Sequence, residues 1–247
     1  MLKHISDMFR APVSAFNCII REVTMKDAFK ILVKIIFLAI VLYIWLWILD
    51  EPLSGVMNLC VIAGSTIFVF PVVWLGRIIL DKNPTMNRTL WITTFMHYSV
   101  GLLFGISLVR AISTNQDWQG WIIPVPVEIG LALVIITGAA AFLTIVNLAL
   151  KGLGAPFAIA LSRKLAVEWM YAWTRNPMVL AALALLVSLG IWFQSVLFLF
   201  WSLLLFTPAL LFFVKVYEER ELEIRFGESY LEYKSRTPML FPKKPRK

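Results

Sequence analysis

Two adjacent carboxylates, Glu218 and Glu219, end a long apolar run and open the most polar stretch of the chain, Tyr217-Glu218-Glu219-Arg220-Glu221-Leu222-Glu223-Ile224-Arg225-Phe226-Gly227. Leu222, Phe226, Tyr230 and Tyr233 then recur at helical spacing, so the stretch is expected to prolong the preceding helix with one apolar-aromatic stripe. Glu218 lies one turn before Leu222, on the packed side of that stripe. A carboxylate there needs a cation or hydrogen-bond donors to stay ionised. The remaining acids, Glu221, Glu228 and Glu232, are expected on a solvated face.

A second polar stretch precedes the apolar run. Residues 171–178 read Tyr-Ala-Trp-Thr-Arg-Asn-Pro-Met, in which Asn176 as N-cap and Pro177 at the first helical position start a helix. Arg175 has no such local reason. A guanidinium stands at the unfavourable end of the helix dipole, so it is expected to serve an anionic partner or to reach a lipid phosphate. Upstream, Lys-Gly-Leu-Gly-Ala-Pro at 151–156 places Gly152 and Gly154 at a helix end, where the missing Cβ permits a tight bend and close approach to a ligand. His97 falls near the middle of an apolar stretch and reads as a helix-packing hydrogen-bonder, and Glu128, after Pro124 and Pro126, as a structural residue near a membrane interface. With His4, outside the spans, as the only other histidine, a bis-imidazole haem is not expected. Cys18 and Cys60 have neither ligand nor disulfide spacing, so no metal site is expected.

The elements that must position these residues are set by composition. Of 247 residues, 60% are hydrophobic and 15% charged, with a mean hydropathy of +0.81, far from the roughly one quarter charged of a soluble domain. An all-α polytopic membrane bundle follows. Four stretches reach the roughly 20 apolar residues that cross a bilayer: Ile31 to Leu49, Val56 to Gly76, Leu90 to Val109 and Ile122 to Leu150. Met178 to Val214 is too long for one crossing, since it would extend about 55 Å as a helix. It is therefore read as a hairpin turning near Gly190, Gln194 and Ser195, which brings the total to about six transmembrane helices.

Loop charges supply an orientation. Lys and Arg concentrate before the first span, between the second and third (Arg77, Lys82, Arg88), after the fourth (Lys151, Arg163, Lys164, Arg175) and after the hairpin, whereas the alternate loops are poor in them. By the positive-inside tendency both termini are cytoplasmic. The net charge of +8 then reflects loop bias and attraction to anionic lipid, so nucleic acid is not an expected partner.

The combination of a glycine pair, Tyr171-Ala-Trp-x-Arg175-Asn176-Pro177, a hairpin, and Glu218-Glu219-x-x-Leu-x-x-x-Phe-Gly-x-x-Tyr230-Leu-x-Tyr233-x-x-Arg236-x-Pro resembles the isoprenylcysteine carboxyl methyltransferase and phospholipid methyltransferase superfamily over about residues 151 to 242. The resemblance implies a cytoplasmic S-adenosylmethionine site, with a passage to the lipid formed at the hairpin. It implies a division into an N-terminal part, residues 1–150 with four spans, and a methyltransferase core, residues 151–247. It further implies catalytic roles for Arg175, Asn176 and Glu218, and cofactor contacts from Gly152, Gly154, Tyr171, Arg175, Glu218, Glu219, Tyr230 and Arg236. Two positions depart from the pattern. Trp169 replaces a glycine two residues before Tyr171, and Val179 replaces a tyrosine after the Arg-Asn-Pro motif.

The expected function is methyl transfer to an amphiphilic lipid or prenylated substrate drawn from the bilayer, which needs alignment of donor and acceptor and exclusion of water. A carboxylate acceptor requires no general base. An ammonium acceptor must first lose a proton, for which Glu218 or Glu219 is the natural group. The alternative is a non-catalytic scaffold or small transporter that keeps the fold, for which Trp169 and Val179 speak.

Overall fold

The computed structural model describes residues 25–50, 52–114, 122–152 and 164–244; Gly154, like His4 and Cys18, lies outside the described residues. All regular structure among these is helical: α1 (Met25–Asp50), α2 (Gly55–Lys82), α3 (Met86–Ser113), α4 (Val127–Asn147), the short α5 (Met170–Trp173), α6 (Pro177–Trp192), α7 (Val196–Phe226) and α8 (Glu228–Arg236). Five segments are long and apolar enough to cross a membrane: Ile31–Asp50, Gly55–Lys82, Met86–Ser113, Val127–Lys151 and Val196–Phe226. The sixth expected span, α6, has 16 residues. At about 1.5 Å per residue it reaches some 24 Å, short of the roughly 30 Å of hydrocarbon.

The chain divides into two compact units, one ending at Ile40 and the other beginning at Val41. In the first, Phe29, Ile31, Leu32, Ile35 and Ile36 of α1 are exposed apolar side chains, as on a helix facing lipid. The second unit is organised around α7. Val69, Val73 and Leu80 of α2 and Met96 and Val100 of α3 form one core with Ala209, Phe213 and Tyr217 of α7. Ile62, Ala111 and Leu186 form another with Phe198, Trp201 and Phe206. Between lipid-solvated helices there is little hydrophobic gain, so small residues and interhelical hydrogen bonds select the packing. Trp201 donates its indole N–H to Ser107 Oγ at 2.7 Å and Thr66 Oγ1 at 3.1 Å, joining three helices.

α4 packs along α6. Thr137 donates to Ser188 Oγ at 3.2 Å, and Gly130 approaches so closely that a Cβ there would stand 2.5 Å from Trp192 Cα. These two contacts fix an antiparallel register between the helices. The helix begins later than the apolar stretch that announces it, because Pro124 and Pro126 keep residues 122–126 out of it, and it runs on through a π turn at Leu148–Gly152.

The hairpin turns at Phe193–Ser195. Gln194 adopts φ 54°, its side chain donates to the Val125 carbonyl at 2.7 Å, and Ser195 caps α7 by accepting from Phe198 N at 3.1 Å. Gly190 permits the close return of Leu199. Within α7 two π segments, Trp201–Phe206 and Phe213–Glu218, interrupt the α-helix. The expected helix through Tyr233 breaks: Gly227 takes φ 52°, a conformation suited to glycine, and starts α8 in a new direction.

Candidate active site

Arg175, Asn176, Glu218 and Glu219 lie at one end of the second unit, where α3, α7 and α8 meet the start of α6. Glu219 is the hub. Its side chain is 3% exposed and lies 2.5 Å from Arg175 Nη2, 2.9 Å from Lys234 Nζ and 3.2 Å from Lys215 Nζ. Arg175, 8% exposed, also donates to the carbonyls of Lys234 at 2.7 Å and Thr237 at 3.0 Å. The anionic partner that Arg175 required is thus an internal carboxylate on Nη2, with backbone carbonyls on Nη1, while the buried Nε has no partner among the described residues.

These bonds belong to a strap. Residues 237–243 cross over 173–176: Arg175 N donates to Pro238 O at 2.9 Å, Lys243 N to Trp173 O at 2.9 Å, and Thr174 Oγ1 to Met239 O at 3.1 Å. Asn176 occupies the N-cap position of α6 with Pro177 following, yet its side chain makes no cap. Its Nδ2 instead donates to Met239 O at 2.9 Å.

Glu218 ends the second π segment and has different company. Its Oε1 lies 3.1 Å from Nε2 of His97 on α3, and its side chain is 28% exposed. His97 is therefore more than the packing residue its sequence position suggests. Three buried aromatic alcohols stand at this end of the unit. Tyr217 meets Thr93 Oγ1 at 3.2 Å, Tyr233 donates to the Tyr171 carbonyl at 2.6 Å, and Tyr230 is buried beside Glu219 and Lys234. Burial pushes the Tyr171 phenol well above its ordinary value and the Glu218 charge pushes it the same way; burial, then Glu219, does so for Tyr230. Both stay protonated near neutral pH. Burial disfavours the Lys234 ammonium, but its hydrogen bonds to Glu219 and Glu223 outweigh that and hold its pKa above the usual lysine value.

Glu221, expected in solvent, is buried and closed on Arg225 at 2.6 Å, because α7 turns this face toward α3. Glu228 and Glu232 are exposed as expected, and Arg236 stands with Glu232 on the surface, 62% exposed, away from the hub. Gly152 closes the π turn after α4. Beside it, Lys151 lies 2.5 Å from Glu168 and 5.1 Å from the centre of the Trp169 ring. Trp169, at the position where the resemblance calls for glycine, holds φ 55° and ψ −118°, backbone angles at which a Cβ is strained.

Two residues were not expected at the site from the sequence. His97 is one; the other is Asn147, 1% exposed and with both side-chain amide atoms lacking a partner among the described residues. Buried amides are nearly always paired, so the end of α4 holds a donor and an acceptor without a partner among the described residues.

Residues 125–229 match the phospholipid methyltransferase family. The matched segment carries α4 to α7 and the start of α8, taking in Asn147, Arg175, Glu218 and Glu219, while His97 and the strap fall outside it. The match implies membrane methyltransferase activity in general terms. No curated protein matches the chain, and no solved structure does either.

Proposed function

We propose that the chain is a membrane methyltransferase that uses S-adenosylmethionine to methylate a lipidic or isoprenylated acceptor, at a carboxylate or an amine. The observation that carries this reading is the division of labour between the two adjacent acids: Glu219 is saturated by three cations, while Glu218 keeps a partly exposed carboxylate with a single ring partner. The cofactor supplies an activated methyl group on a sulfonium. The residues present fit it: Glu218 offers an anion for its ammonium, Tyr171 a phenolic donor, Asn147 a donor and an acceptor without a partner among the described residues, and Gly152 the lack of a Cβ that close approach requires.

In this reading Gly152, Gly154, Tyr171, Glu218 and Tyr230 contact the cofactor. Arg175, Asn176 and Glu219 act as positioning residues, because their polar atoms hold the strap across the site. Arg236 closes the motif from the surface. The site end faces the cytoplasm, as the loop charges require, and the hairpin with α4 borders the lipid from which the acceptor enters. The non-catalytic alternative leans on Trp169. Yet Trp169 holds a backbone conformation that favours glycine and is 59% exposed, so its ring is not packed into the interior.

Incubation of the purified chain with methyl-labelled cofactor and total membrane lipid tests the reading. Label is expected in an amphiphilic lipid fraction, and is expected to vanish in Glu218→Ala. Failure of the intact protein to bind the cofactor by calorimetry overturns it.

A further inference from the structure

The His97 ring is fixed at both nitrogens. Nδ1 lies 2.8 Å from the carbonyl oxygen of Thr93, one turn earlier on α3, and Nε2 lies 3.1 Å from Glu218 Oε1. A carbonyl oxygen only accepts, so Nδ1 carries a hydrogen. An ionised carboxylate likewise only accepts. One further proton must then lie between Nε2 and Oε1, whichever of the two holds it, since otherwise two lone pairs face each other at hydrogen-bond distance. The pair is therefore a neutral unit that stores one proton. It is also reachable, with side chains 19% and 28% exposed, while the Phe213 ring covers the imidazole edge-on at 5.3 Å between centroids.

We propose that His97, from outside the matched segment, completes a cation-binding element with Glu218, and that a ligand ammonium displaces the stored proton. The inference rests on the methyltransferase reading and supplies the acid–base partner of that site. As the ammonium meets the carboxylate, the imidazole gives its Nε2 proton to solvent and remains neutral, with Nδ1–H still on Thr93. One cation enters and one proton leaves, so the buried charge is unchanged. A plain carboxylate with no proton to exchange would have to stand uncompensated at this membrane surface whenever the ligand was absent.

The other titratable groups whose charge reaches the pair are Glu221 and Tyr217 on α7, Tyr171 before the hairpin and Tyr230 on α8. Glu221 is closed on Arg225. Phenols are neutral in the working range. The exchange is thus expected from the His97–Glu218 pair alone.

Calorimetric titration of S-adenosylmethionine into the full chain in detergent, at pH 6.5 in buffers of different ionisation enthalpy, counts the protons released. Wild type is expected to release protons on binding, up to one per cofactor bound. His97→Gln is expected to bind with release close to zero. Glu218→Gln, which still accepts from Nε2–H, is expected to lose the release and at least tenfold in affinity. Binding by wild type without release overturns this proposal alone, and release unchanged in either variant overturns it too by placing the proton elsewhere. Absence of cofactor binding by wild type overturns both this proposal and the reading beneath it.

Discussion

Glu218 and Glu219 are neighbours in sequence with opposite work, and substitution should separate them. Removing the charge of Glu219 leaves Arg175 buried without its partner, a loss that typically costs about 3 kcal/mol or more. Glu219→Gln is accordingly expected to lower the thermal midpoint of the detergent-solubilised protein sharply, whereas Glu218→Gln, at a more exposed pair, should shift it little. Equal melting temperatures for the two variants would contradict the hub. At Trp169 the expectation is reversed. Positive-φ strain on a non-glycine residue costs on the order of 1–3 kcal/mol, so Trp169→Gly should match or exceed wild-type stability even though it gives up the ring that Lys151 faces, and Trp169→Ala should not. At this scale the sequence was partly legible. Arg175 and Glu218 stood out because local rules left them unexplained, whereas Asn176 read as a plain N-cap and gained its role, like Glu219, through the family resemblance. The partnership of His97 with Glu218 could not be read, since 121 residues separate them and neither helix carries a local mark of the other.

Helices were legible where bilayer thickness dictates them: each apolar stretch became a helix, and the excess length of the 178–214 run did require a reversal. What hydropathy does not encode is backbone detail. The π segments that bring Glu218 and Gly152 to their places arise from packing, and the stripe through Phe226 and Tyr230 concealed the break at Gly227, because a helix and a turn-helix present the same spacing of aromatic residues. Gly227→Ala tests the break. At φ 52° a Cβ meets backbone strain of about 1–2 kcal/mol, so the variant should melt lower and expose Tyr230 to quenching, although open space surrounds the glycine. Gly130→Leu should do more harm. Its side chain would collide with the Trp192 backbone and part α4 from α6, which overpacking costs place at about 1–3 kcal/mol or above. Disulfide trapping between cysteines at positions 137 and 188 would fall in that variant if the register is set there.

For the whole molecule the testable quantity is sidedness. Single reporter cysteines at Ser54, before α2, and at Asn83 and Ser235, near the site, should divide into two classes toward an impermeant maleimide in oriented vesicles, with Asn83 and Ser235 alike and Ser54 opposite. Ser54 and Ser235 reacting from the same face would overturn the orientation. The membrane nature of the chain was evident from composition alone. The assembly of the site from both sides of the family match was not, because α3 supplies His97 and residues beyond 229 supply the strap.

That strap also gives the protein a birth order. Every helix that borders the site precedes residues 237–243 in the chain, so during vectorial synthesis the spans are inserted while Arg175 and Asn176 still lack the carbonyls they will hold. The nascent protein is thus a membrane bundle first and a closed site only afterwards. A ribosome stalled just before the strap would leave an inserted but unlatched chain.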